Sequence, residues 1–155
     1  TIGPELSKRG IPFHVFVTPE KLTSGDPRYL STPELRELAT IPGATIGAHG
    51  ATHRSLTSLS IADAEADLRS SKQQLEDVLQ TPITTMSYPY GHVNTEVRAA
   101  AQRVGFIAAA CSKWGVNKEH SDALLLNRLD MWAGDNSRTI ENKVLGYWNF
   151  LGRRT

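Results

Sequence analysis

Apolar positions along the chain recur with two different spacings, and the two alternate from the amino terminus onward. Pro12–Val17 (PFHVFV) is a short aromatic and β-branched run that reads as a strand, followed by a polar loop. In STPELRELA, Ser31 or Thr32 can cap a helix and Pro33 suits its first turn. GATIGAH then gives a small apolar strand ending at His49. Ser60 and Asp63 resemble a capping box that opens a long helix, with Ile61, Ala64, Leu68, Leu75 and Leu79 on one face. ITTMSYPYG reads as a strand broken by Pro89 and Gly91, and Asn94 caps a helix whose Val97, Ala101 and Val104 share a face. GFIAAAC is a buried strand and ALLLNRLDMW another apolar run. Ser137 can cap a last helix carrying Ile140, Val144 and Trp148 before Gly152. Strands alternating with helices predict an α/β fold with a parallel sheet covered by helices. In such folds the working residues sit at the carboxyl ends of the strands, where this pattern places His49 and Tyr90.

The 155 residues suit a single domain over 1–155, with no internal repeat, low-complexity tract or linker. A formal charge of +1, with its charged residues scattered, carries no footprint of nucleic-acid binding and predicts a neutral or weakly charged ligand. The single cysteine, Cys111, cannot form an internal disulfide and reads as a small core residue. No run approaches the ~20 apolar residues of a membrane span, and no leader opens the chain, so composition leaves the compartment open.

The candidate chemistry lies in IGAHGATHRSLTSLS, where His49 and His53 stand four residues apart. A strand-end histidine and one in the following loop can converge on one ion, because Gly50 permits a tight turn. Two imidazoles suit zinc or another late divalent metal, although a catalytic zinc usually takes three protein ligands. The plainer alternative is that both rings hydrogen-bond to loop carbonyls.

The order and spacing of HGATH, SYPYG, GFIAAACSKWGVN and LLLNRLDMW resemble the polysaccharide deacetylase family, the NodB-homology domains of carbohydrate esterase family 4. The resemblance implies a distorted (β/α) barrel. It makes His49 and His53 two ligands of a divalent metal, zinc first, with cobalt or nickel as alternatives. Ser87–Gly91 looks like the family's groove-wall motif, usually Arg-x-Pro-Tyr-Gly. That match implies substrate contacts from Tyr88, Pro89 and Gly91, and an oxyanion-stabilising N–H from Tyr90. The implied reaction is metal-assisted removal of an acetyl group, usually N-acetyl, from a polysaccharide or oligosaccharide.

Three departures stand out. The family's Thr-Phe-Asp-Asp-Gly motif, which supplies a metal-binding and a basic aspartate, is absent, so the chain is expected to start just after the first strand. The expected consequences are little activity as given, and disorder near Thr1 or self-association at the exposed sheet edge. Where the family has Leu-x-His, with its acid, this chain has Leu126-Asn127-Arg128, and an always-protonated guanidinium is a poor proton donor. Arg128 is instead a substrate-binding or ion-pairing candidate. Ser87 stands where an arginine is usual.

Trp132 is a candidate to stack on a sugar face, with a rim or core role as the alternative. Trp114 and Trp148 look structural, and His14, His92 and His120 are not expected to bind metal. Asp26 and Asp130 are the carboxylates to check as a third ligand. A non-catalytic carbohydrate-binding scaffold is the rival reading, and an amidohydrolase acting on a small cyclic amide a weaker one. The resemblance favours the cell surface or periplasm.

Overall fold

A computed structural model describes residues 2–147 of the protein. The elements run α1 (Ile2–Lys8), β1 (Phe13–Val17), α2 (Pro19–Leu22), α3 (Thr32–Ala39), β2 (Ala44–Ala48), α4 (Ile61–Leu79) and β3 (Thr85–Ser87). They continue with α5 (Thr95–Val104), β4 (Ala108–Trp114), β5 (Leu126–Arg128) and α6 (Ser137–Val144). All five strands are parallel, in the order β1-β2-β3-β4-β5. The sheet is open, with β1 at one edge, so the expected exposed strand edge is present among the described residues.

Register sorts the side chains. Val17 lies beside Ala48, Ala48 beside Met86, and Met86 beside Ala109, so these residues share the face that packs on the helices. Leu35 of α3, Ala64, Leu68 and Leu75 of α4, and Val97, Ala101 and Val104 of α5 complete that core. The opposite face carries Phe16 beside Gly47. A Cβ on Gly47 would lie 2.7 Å from the Phe16 ring and 2.8 Å from Thr85 Oγ1, so no side chain fits there.

Local signals account for the helix starts. Ser31 and Glu34 form a complete capping box on α3, Ser60 Oγ accepts from the Asp63 N–H, and Asn94 Oδ1 accepts from the Val97 N–H at 2.8 Å. Three expectations change. Ile61 is exposed rather than on the apolar face of α4, whose fourth inward position is Ser71. Asn136, not Ser137, caps α6 through the Thr139 N–H. The inward residue of α6 is Lys143, 2% exposed, while Ile140 and Val144 face outward. That inversion follows from Lys143 reaching the Asp135 carboxylate and the Asp130 carbonyl, which compensate its burial. Ahead of β1, Ile2–Lys8 is helical, and Gly3 lets α1 approach the Phe13 ring, 3.2 Å from an added Cβ. Thr1, Trp148 and Gly152 lie outside the described residues.

Candidate active site

His49 follows β2 directly, and its N–H donates to the Val17 carbonyl at 2.9 Å, extending the β1–β2 ladder by one residue. Thr18 Oγ1 donates to the His49 carbonyl at 3.1 Å. The imidazole is fixed from the other neighbouring strand, with Nδ1 2.7 Å from the Ser87 carbonyl oxygen. A carbonyl only accepts, so Nδ1 carries the proton and Nε2 keeps its lone pair. Burial, aided by the nearby charges of His53 and Arg128, lowers the His49 pKa below its ordinary value, against the opposing Ser87 bond. A lone pair on a ring that resists protonation is what a metal ligand needs.

The loop to His53 is held in an uncommon conformation. Gly50 has φ +69°, and an added Cβ would meet Asp67 Oδ1 and Pro89 Cγ, each at 3.1 Å. His53 itself has φ +58°, a left-handed conformation that costs a β-carbon residue ~1 kcal/mol or more. The compensating contact comes from α4. Asp67 accepts from the Ala51 N–H at 2.8 Å and from the Thr52 hydroxyl at 2.9 Å, stapling the loop at its middle. Sequence reading missed Asp67. A signal existed: it is a carboxylate one turn after Ala64 and adjacent to Leu68, at the margin of the inward row of α4. The result is a His49–His53 ring-centroid separation of 4.9 Å.

Tyr90 meets this pair from the β3 side. Its ring centroid is 4.9 Å from that of His53 and 5.8 Å from that of His92, and its φ is +59°. Gly91, φ +69°, is pressed against β4, where an added Cβ would lie 2.0 Å from Ser112 Oγ. Ser112 Oγ donates to the Tyr90 carbonyl at 3.2 Å.

The remaining candidates are distributed unevenly. Tyr88 is fully buried and its hydroxyl donates to the Leu124 carbonyl, so it backs the site rather than facing a ligand; burial raises its phenol pKa. Pro89 is also buried, behind Gly50, whereas Gly91 reaches a cavity wall. Arg128 is tied by Nε to the Cys111 carbonyl at 2.7 Å and lies near enough to His49 for its charge to be felt there. Trp132 is 69% exposed, anchored by its N–H to Asp135, and lines neither of the two larger cavities described below. Cys111 is buried, as expected.

A groove of about 330 Å³ runs from His49 and His53 along Val15, Val17, Leu22 and Leu30. On the other side of Tyr90 lies a cavity of about 810 Å³. Among the described residues no cluster of three or more His, Cys, Asp or Glu can hold a metal. Asp26 is instead bound by Arg28 at 2.6 Å, and neither Asp26 nor Asp130 forms a ligand cluster with the pair among the described residues. His14 stacks on Phe16 at 5.8 Å, and His92 Nδ1 lies 3.0 Å from Ser55 Oγ. Two imidazoles therefore fit an imidazole-preferring divalent ion, one ligand short of the usual catalytic set. No helix among the described residues is long and apolar enough to cross a membrane.

Comparison with known proteins agrees with this architecture. The chain is 24% identical over 131 residues to the polysaccharide deacetylase candidate YxkH of Bacillus subtilis, covering 84% of this chain and 46% of that protein. It is 32% identical over 78 residues to chitin deacetylase 1 of Cryptococcus neoformans, covering 50% of this chain and 17% of that protein. The chain thus spans less than half the length of either relative. The fold is that of the Streptococcus pyogenes deacetylase PplD, solved with acetate, at a TM-score of 0.85, 19% identity, and coverage of 92% of this chain and 62% of that one. The model of the polysaccharide deacetylase family matches residues 2–109, more than half of the chain, and the chain belongs to that family.

Proposed function

We propose that the chain forms the metal-binding part of a hydrolase that removes acetyl groups, N-acetyl first, from a polysaccharide or oligosaccharide. The observation that carries this reading is the His49 ring, its Nδ1 proton committed to Ser87 and its Nε2 lone pair left for a ligand beside His53. Family membership and the chitin-directed relative support the substrate class.

His49 and His53 would hold the ion, zinc before cobalt or nickel, which supplies Lewis acidity and a more acidic bound water. The chain's own residues do the rest. Ser87 sets the His49 tautomer and Asp67 holds the loop that presents His53. The main-chain N–H of Tyr90 is the proposed donor to a developing oxyanion. Arg128 is proposed to bind or orient substrate, with Gly91 and Trp132 as further contacts. The 155 residues contain no adjacent pair of aspartates, so this chain by itself is proposed to turn over slowly. A place at the cell surface or in the periplasm, and self-association along β1, are part of the same reading.

One observation favours a second reading, a carbohydrate-binding domain without catalysis: no third ligand stands near His49 and His53 among the described residues. Calorimetric titration with zinc separates the two. Binding that either H49A or H53A abolishes is expected; no binding to the unaltered chain refutes the metal reading. With a chitin oligomer and added zinc, little acetate release is expected, and rapid turnover would refute the proposed impairment.

A further inference from the structure

Tyr90 and Gly91 form a ridge between two concavities. His49 and His53 lie on one side. On the other, the cavity of about 810 Å³ opens between the start of α5, the second half of β4 and the segment that leads into β5. It is open to solvent, and its volume is typical of small-ligand sites, ~300–1,000 Å³. The Ser112–Tyr90 hydrogen bond ties the ridge to its wall, so the two concavities keep a fixed relation. A chain molecule laid across the ridge with one unit at the histidines would place an adjoining unit in this cavity.

The polar groups in the cavity are unbalanced. Its one lining carboxylate among the described residues, Asp122, is fully engaged. It accepts from Arg98 Nε at 2.6 Å, from Arg98 Nη2 at 3.1 Å, and from the Leu124 N–H at 2.9 Å. Lys113 lines the same space, is exposed, and forms no ion pair among the described residues. Asn127 uses its main-chain N–H and carbonyl on Asn117, at 2.9 and 3.0 Å, which leaves its side-chain amide for a ligand. Among the described residues the cavity therefore offers one positive charge without an ion pair and a free amide, with the Asp122 charge already neutralised. An acceptor-rich, negatively charged ligand complements that set.

We propose that this cavity binds the sugar unit next to the one that loses its acetyl group, and that this neighbouring unit carries an anionic substituent, phosphate or carboxylate, recognised by Lys113. Its placement beside the reacting unit rests on the deacetylase reading. The preference for negative charge rests on the cavity alone.

The test titrates the whole chain by NMR at low ionic strength with three probes. These are a hyaluronan tetrasaccharide for the carboxylate, N-acetylglucosamine 6-phosphate for the phosphate, and chitotetraose as the neutral control. At least one anionic probe is expected to shift the amides of Gly91, Lys113 and Asn127. Lys113→Gln is expected to weaken that probe about threefold, the size of one partly exposed ion pair, and to leave chitotetraose unchanged. Lys113→Arg should restore the affinity, and the probe that loses more identifies the anionic group. Equal loss for charged and neutral probes, no loss, or no binding of either anionic probe would overturn the proposal. A zinc titration of the same sample, read at His49 and His53, tests the metal reading separately. Zinc shifts there, with Lys113→Gln without effect, would remove this proposal alone. Charge discrimination without zinc shifts would leave the cavity as a glycan site and remove the hydrolase reading.

Discussion

Removing the Asp67 carboxylate probes how far the loop from His49 to His53, the proposed metal-binding loop, depends on α4. Asp67→Ala deletes both acceptors, at 2.8 Å from the Ala51 nitrogen and 2.9 Å from the Thr52 hydroxyl. The two donors fare differently. Thr52 is exposed and its hydroxyl turns to water at little cost. Ala51 is only 7% exposed, so its N–H is left buried without a partner, a loss of ~1–3 kcal/mol. A loss of ~2 kcal/mol in unfolding free energy is therefore expected, read from urea denaturation at pH 7. Asp67→Asn keeps an oxygen for the Ala51 N–H and should recover most of it. The same staple holds His53 in its left-handed conformation, so zinc affinity should fall ~10- to 100-fold in Asp67→Ala, the usual effect of removing a group that orients a ligand. An alanine variant within ~0.5 kcal/mol of the parent and with unchanged zinc affinity would refute the reasoning, since that is the scatter of an ordinary surface substitution.

Two further outcomes follow from buried groups. The lowered pKa of His49 means that the unfolded chain takes up its proton first as pH falls. Stability from this residue is thus present above its ordinary pKa of 6.5 and declines below it, in metal-free buffer; His49→Gln should remove that component from a stability–pH curve, and an unchanged curve would contradict it. Lys143→Met should lower the urea midpoint well below that of Lys143→Arg, because it leaves the Asp135 carboxylate without the cation that also lies 5.4 Å from the centroid of the Trp114 ring. Equal midpoints for the two variants would mean that the ion pair contributes nothing specific.

What was legible along the chain and what was not divides by sequence distance. Ser31, Ser60 and Asn94 act on N–H groups three residues ahead, so their caps could be read directly, and the helices followed. The histidine pair was also local, spanning four residues. Asp67 lies sixteen residues from Ala51, and only the packing of α4 beneath the loop joins them. Lys143 misleads any count of apolar positions, because an ion pair rather than an alkyl group fills its inward site. Tyr88 alternates with Met86 as a core residue does, although its place in the SYPYG motif points to a ligand contact. The larger cavity is built from segments of α5, β4 and the start of β5 that no local pattern connects.

The left-handed backbone at His53 and Tyr90 sets selection for folding against selection for function. Glycine adopts that conformation freely, whereas each β-carbon residue holds it at an energetic cost. A library sorted only for thermal persistence or expression should therefore enrich glycine at both positions and count the native residues as defects. A library sorted for metal retention should discard the same His53 clones. The gap between the two enrichment profiles, position by position, would mark out where this fold has traded durability for chemistry.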